Sequence, residues 1–142
     1  MIVAEMQKKK VNSVYKDLMY VDRVNTAKVI RYWTSKPYQP ELLRKGWHPP
    51  HPTFLVREKI YEQYGFFNSD FKISSDYEIM LRFLVKYKIS TSYIPRVFVK
   101  TRVGGVSNRN IKNIIKANLE CYKAWTINGL VINPLYIFET HI

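Results

Sequence analysis

Cysteine is almost missing from this chain: Cys121 is the single one among 142 residues. No internal disulfide can form, and such sparing use fits a reducing compartment. Cys121 sits in a helical pattern beside Glu120 and Tyr122, with no Cys or His at metal-ligand spacing, and reads as packing. Long apolar runs are missing too. No stretch of about 18 apolar residues occurs, so no helix is expected to span a bilayer. The start, residues 1–10, carries its charge after a very short apolar run, the reverse of a secretory signal. It reads as the last turns of a helix whose beginning is absent. Acidic residues are scarce, 11 Asp and Glu against 23 Lys and Arg, for a formal net charge of +12. That excess implies an anionic partner: nucleic acid, an acidic membrane face or a phosphorylated small molecule. There are no internal repeats and no low-complexity tract.

What is present is enough for a core. Hydrophobic residues make up 46% and aromatics 15%, which excludes wholesale disorder and fits one domain or a piece of a larger one. Residues 14–33 combine two β-rich runs, punctuated by Asp17 and Asp22, across an Asn25-Thr26 turn, and predict a hairpin. Glu41 to Lys45 predicts one or two helical turns stopped by Gly46. Gly46-Trp-His-Pro-Pro-His-Pro-Thr53 has three prolines that stiffen the backbone around two histidines and a tryptophan. Such a loop is either a structural turn with a packed Trp or the wall of a ligand site. A short buried strand is expected over 53–56 and a helix over 57–64, ended by Gly65.

Ser75 followed by Glu78 has capping-box spacing, so a helix is expected to start there and run to about Lys88. Ile79, Met80, Phe83, Leu84 and Tyr87 give it a buried face. Asp76 falls in its first turn, where the helix dipole favours a carboxylate. It either charges the helix end or serves as a general base at the mouth of a pocket. Residues 89–102 read as extended, with Pro95 marking an edge or entry. Arg102-Val-Gly-Gly-Val-Ser-Asn108 could bring backbone amides close to a phosphate, or merely turn the chain. It lacks the spacing of a P-loop or a Rossmann fingerprint. Asn108 or Asn110 is expected to cap a last helix with Ile111, Ile114, Ile115, Asn118, Leu119 and Tyr122 inside and Lys112, Lys116 and Lys123 outside, ending near Asn128-Gly129.

Taken together, these stretches resemble the C-terminal half of family 2 glycosyltransferases of the bacterial polysaccharide type. The matching pieces are Val14 to Asp22, Val29 to Trp33, Gly46 to Thr53 with Val56-Arg57, Tyr61 to Phe67, Phe71 to Arg82, Arg102 to Asn108 and Asn128-Gly129. The resemblance implies a mixed α/β fold, the acceptor-side half of a GT-A fold without its nucleotide-binding βαβ region. It divides the chain into a strand and hairpin region (1–35), an acceptor loop and strand (36–56), a catalytic helix region (57–108) and a C-terminal helix and tail (109–142). It implies transfer of a sugar, with inversion, from a nucleotide-diphosphate donor to a hydroxyl of a carbohydrate or lipid-linked acceptor. Asp76 would be the general base, at the position where the family usually has Glu-Asp and this chain has Ser75-Asp76. Arg82 would brace the helix. Arg102, Ser107 and Asn108 would lie near the diphosphate or the acceptor, and Trp47, His48 and His51 would line the acceptor wall.

The family holds a divalent metal, Mg or Mn, on an Asp-x-Asp motif, and these 142 residues contain none. Asp76-Tyr-Glu78 does not replace it, since residues two apart on a helix do not share a face. The metal ligands are therefore expected outside this chain, on a missing or separately encoded N-terminal half, with little activity in its absence. A basic surface would hold such an enzyme at the inner, cytoplasmic face of the bacterial membrane. The other readings are a non-catalytic remnant and a small basic module for nucleic acid or acidic membrane. Against specific nucleic-acid binding, the basic residues spread from Lys8 to Lys123, and no helix-turn-helix, RRM or KH pattern occurs.

Overall fold

The computed structural model describes residues 2–102, 111–133 and 135 (for residues 2 and 98, the backbone alone). The fold is mixed α/β, and the chain divides into two units. Residues 2–38, 49–57 and 90–102 form a sheet unit; 39–48, 58–89 and the described residues from 111 onward form a helical unit.

The sheet unit is built around β1 (Ser13–Val21). Val14, Tyr15, Leu18 and Val21 are at most 1% exposed, so this strand is covered on both faces. The expected hairpin forms, with β1 antiparallel to β2 (Val29–Trp33). Its turn is fixed by Asp22, whose carboxylate accepts the amides of Val24 and Asn25, which also lowers its pKa. Asp17 does not punctuate the strand. It is buried mid-strand and accepts the Ser35 amide at 2.7 Å and the Tyr93 hydroxyl at 2.6 Å.

The strand expected over 53–56 shrinks to β3 (Leu55–Val56), with Leu55 exposed. The prolines explain this: Pro50 and Pro52 set up a 3₁₀ turn over His51–Thr53. Thr53 is buried in that turn, where its hydroxyl accepts the Lys16 amide and lies 2.8 Å from the Pro50 carbonyl. Strand β4 (Thr91–Arg102) runs parallel to β1 along its length, so β2 and β3 share the other edge. Ile94 pairs with Lys16 but Val97 with Asp17, leaving Pro95 in a bulge that tolerates its missing N–H. Helix α1 (Ile2–Lys9) buries Met6, and the Arg57 guanidinium caps its end on the Met6 and Val11 carbonyls.

In the helical unit, residues 43–45 form a 3₁₀ turn ended by Gly46 at φ 92°. Helix α2 (Glu58–Tyr64) stops at Gly65, φ +94°. Helix α3 (Ser75–Leu81) widens into a π turn over Arg82–Lys86. The extra residue of a π turn shifts the helical phase. Ile79, Met80, Phe83 and Leu84 are buried as expected, whereas Tyr87 comes to the surface and stacks on Tyr64 at 4.1 Å.

Helix α4 (Ile111–Ile127) keeps Asn118 inside and Lys112, Lys116 and Lys123 outside as expected, but most of the apolar residues expected inside fall on the other face. Ile111, Ile115, Leu119 and Tyr122 are exposed, and Asn118, Cys121, Ala124 and Trp125 face the core. The inner face includes hydrogen-bonded polar groups and a tryptophan, which hydropathy alone does not rank inward. Cys121 is buried, and burial pushes its thiol pKa up to about 12, in keeping with an inert packing role.

Candidate functional site

Asp76 occupies the first turn of α3 and is half-buried. The capping box expected there does not form. Ser74, not Ser75, is the N-cap, and its hydroxyl donates to the Ala117 carbonyl at 3.1 Å. The entry to the helix is held from α4 instead. The Glu120 carboxylate, buried, accepts the amides of Lys72, Ile73 and Ser74. A carboxylate at this end also meets the positive pole of the helix dipole. Glu78 is free of capping duty and turns inward.

Glu78 is 2% exposed and forms a two-pronged bridge to Arg82, at 2.7 Å to Nη2 and 3.1 Å to Nε. Asn128 Nδ2 donates to the same carboxylate at 3.1 Å. Arg82 also donates to the Tyr64 carbonyl at 2.9 Å and the Phe66 carbonyl at 2.8 Å. Arg82 thus braces the helix against the turn after α2. Gly65 makes room for it: a Cβ there would stand 2.9 Å from Nη1. A second buried anchor is Trp125, whose indole N–H donates to the Tyr77 hydroxyl at 2.7 Å. Burial raises the Tyr77 pKa, and this bond lowers it in part.

An aromatic cluster gathers on Tyr61, which the Asp76 charge reaches. Tyr61 meets Phe83 edge-on at 5.3 Å, stacks on Phe66 at 5.7 Å and tilts against Phe67 at 6.4 Å. Burial raises the Tyr61 pKa, and the negative charge of Asp76 raises it further, which places carboxylate and phenol in electrostatic reach. Phe66 is 66% exposed and Phe67 53%. A carboxylate near an aromatic cluster can accept a proton from a hydroxyl whose carbon skeleton rests on the rings. Phe66 and Phe67 were legible only as members of a resembling stretch. Their turn is held by Arg82 on the backbone carbonyls of Tyr64 and Phe66, which no local pattern announces.

The remaining expected site residues divide between the units. Trp47 and His48 belong to the helical unit, as Asp76 does, while His51 and Arg102 belong to the sheet unit. His48 packs edge-on against Tyr77 at 6.0 Å, which brings it to the neighbour of Asp76 in sequence. Trp47 is half-buried, and its amide bonds the Leu42 carbonyl. His51 is exposed in its 3₁₀ turn, and Arg102 is exposed at the end of β4, paired with Val21. Ser107 and Asn108 lie outside the described residues, as do the paired glycines and the expected caps of α4.

Asp76 lines neither of two cavities. One, of about 430 Å³, lies in the sheet unit among Glu5, Lys9, Lys16, Tyr93 and Arg96. Lys16 is 1% exposed there, and burial, then the Arg96 charge, lowers its pKa. The other, of about 230 Å³, lies beside Trp125 and Val131 in the helical unit. Among the described residues no three His, Cys, Asp or Glu side chains converge as a metal site. Asp76 and Glu78 do not act as a pair, because Glu78 is committed to Arg82 and Asn128. The donor set for the divalent metal of the resembling family is not met by these residues. Compared with known proteins, the chain matches no family model, no curated protein and no solved structure.

Proposed function

We propose that this chain is the acceptor-side part of an inverting glycosyltransferase, with Asp76 as general base. One observation carries the reading: a half-buried carboxylate on a braced helix acts electrostatically on Tyr61, whose ring stacks on Phe66 and tilts against Phe67, both exposed. A sugar ring offers apolar C–H faces to such rings and hydroxyls to such an acid. Asp76 would take the proton of the acceptor hydroxyl as its oxygen attacks the anomeric carbon of the donor. The diphosphate would leave on the opposite side, giving inversion. His48 and Trp47 would wall the acceptor.

Charge neutralisation on the leaving diphosphate is the task of a divalent metal when one is bound. Its ligands, and the donor site, would come from residues other than these 142. The chain by itself is then a poor catalyst, since losing that electrostatic clamp removes most of the rate. The testing experiment supplies the lacking part. An Asp-x-Asp-bearing nucleotide-binding segment, encoded in frame upstream or as a separate chain, is co-produced with this one, and release of nucleoside diphosphate from a nucleotide sugar is followed. Turnover by the pair and not by either part supports the reading. A folded, stable pair that turns over no nucleotide sugar with any carbohydrate or lipid-linked acceptor rejects it.

A further inference from the structure

Helix α4 carries a second apolar face that the core does not use. At about 100° per residue, Ile111, Ile115, Leu119 and Tyr122 fall within an arc of about 80°. They are 74, 50, 59 and 44% exposed. The core-facing arc of Asn118, Cys121, Ala124 and Trp125 is separate and already filled. Flanking the outer ridge are Lys112 and Lys116, both exposed, with Lys123 on the same flank, its ammonium over the Phe71 ring at 5.4 Å. The one acidic residue of the helix, Glu120, is buried and spent on the Lys72, Ile73 and Ser74 amides. The outward surface of α4 therefore combines an aliphatic ridge with cations and no anion.

We propose that this ridge docks on an anionic lipid bilayer, with the aliphatic side chains entering the headgroup–acyl boundary and the lysines meeting lipid phosphates. Three features select that occupant. A second copy placed ridge to ridge in the antiparallel sense would set lysines against lysines, which opposes association. A nucleic acid would satisfy the lysines but leave the aliphatic ridge in water, since phosphate and sugar provide no apolar bed for it. An interfacial helix needs both elements on adjoining arcs, as here. No helix among the described residues is long and apolar enough to cross a membrane, so the contact is at the surface. The proposal does not depend on the role of Asp76.

The test is co-sedimentation of the full chain with vesicles of phosphatidylcholine alone, and of phosphatidylcholine with roughly a third phosphatidylglycerol. Binding is expected to the anionic vesicles and not to the neutral ones. Lys112→Gln with Lys116→Gln should weaken it by about five-fold per lysine. Ile115→Ser with Leu119→Ser should release the protein while helical circular dichroism and melting stay unchanged, because both side chains are already exposed. Equal binding to neutral vesicles, or full retention by the serine variant, overturns the proposal. So does a lack of vesicle binding, whether accompanied by self-association or by capture of a single-stranded oligonucleotide that the serine variant abolishes.

Discussion

Cutting Arg82 back to methionine removes the guanidinium that ties α3 to the turn after α2. The apolar stem volume is largely kept, so the effect reports the polar contacts. Arg82 is 12% exposed at its side chain and Glu78 2%, which puts the pair among buried ion pairs. Removing one partner of such a pair costs about 3–5 kcal/mol, mostly because the other charge is left buried and uncompensated. Among the described residues Glu78 would keep only the Asn128 amide as a partner. Replacing both, as Glu78→Leu with Arg82→Met, removes the orphaned charge as well as the bridge. The double variant should then lose clearly less than the sum of the single losses, with a coupling of about 2 kcal/mol or more. Urea unfolding followed by circular dichroism gives the four stabilities. Single losses that add, with coupling at the roughly 0.3–0.5 kcal/mol of an exposed helical pair, would refute the buried-bridge account.

Gly65→Ala should destabilise by about 1–3 kcal/mol, read as a lowered melting temperature, because φ is +94° and the new Cβ would crowd Arg82 Nη1 at 2.9 Å. Tyr77→Phe should cost about 1–3 kcal/mol in denaturant unfolding, since it leaves the indole N–H of fully buried Trp125 without its acceptor. Stability should also fall in alkali. Tyr93 has a folded-state pKa of about 12, raised by burial and by its bond to Asp17, against an ordinary value near 10. The Cys121 thiol is likewise raised, from an ordinary value near 9 to about 12. A raised pKa means the folded state holds the proton more tightly, so this stability is complete below about pH 9 and is lost as pH climbs to about 12. Melting temperatures recorded across that range should decline, and a flat profile would contradict the raised pKa of both groups.

β-rich composition and turn chemistry made the β1–β2 hairpin legible, because Asp22 and Asn25 act within their own turn. Gly46 and Gly65 announced two stops for the same local reason. The partners of long polar side chains were not legible. Ser75 and Glu78 had the spacing of a reciprocal cap, yet Glu120, more than forty residues away, captures the helix entry and leaves Glu78 to Arg82. The apolar phase of α4 failed for a related cause: its inner face is organised by Glu120 and Trp125, and the turn after it by Asn128, all with partners distant in sequence. Asp76 was legible as a first-turn acid. The exposed rings of Phe66 and Phe67 were not marked as a site, because the Arg82 contact that holds their turn is non-local.

The most direct measurement concerns Asp76 itself. Nucleotide-sugar turnover is compared between the complemented wild-type chain and its Asp76→Asn variant, with melting curves recorded for both. The account predicts a fall of at least about 100-fold in kcat for the variant at unchanged melting temperature. Turnover within two-fold of wild type would contradict the assignment of Asp76 as the base.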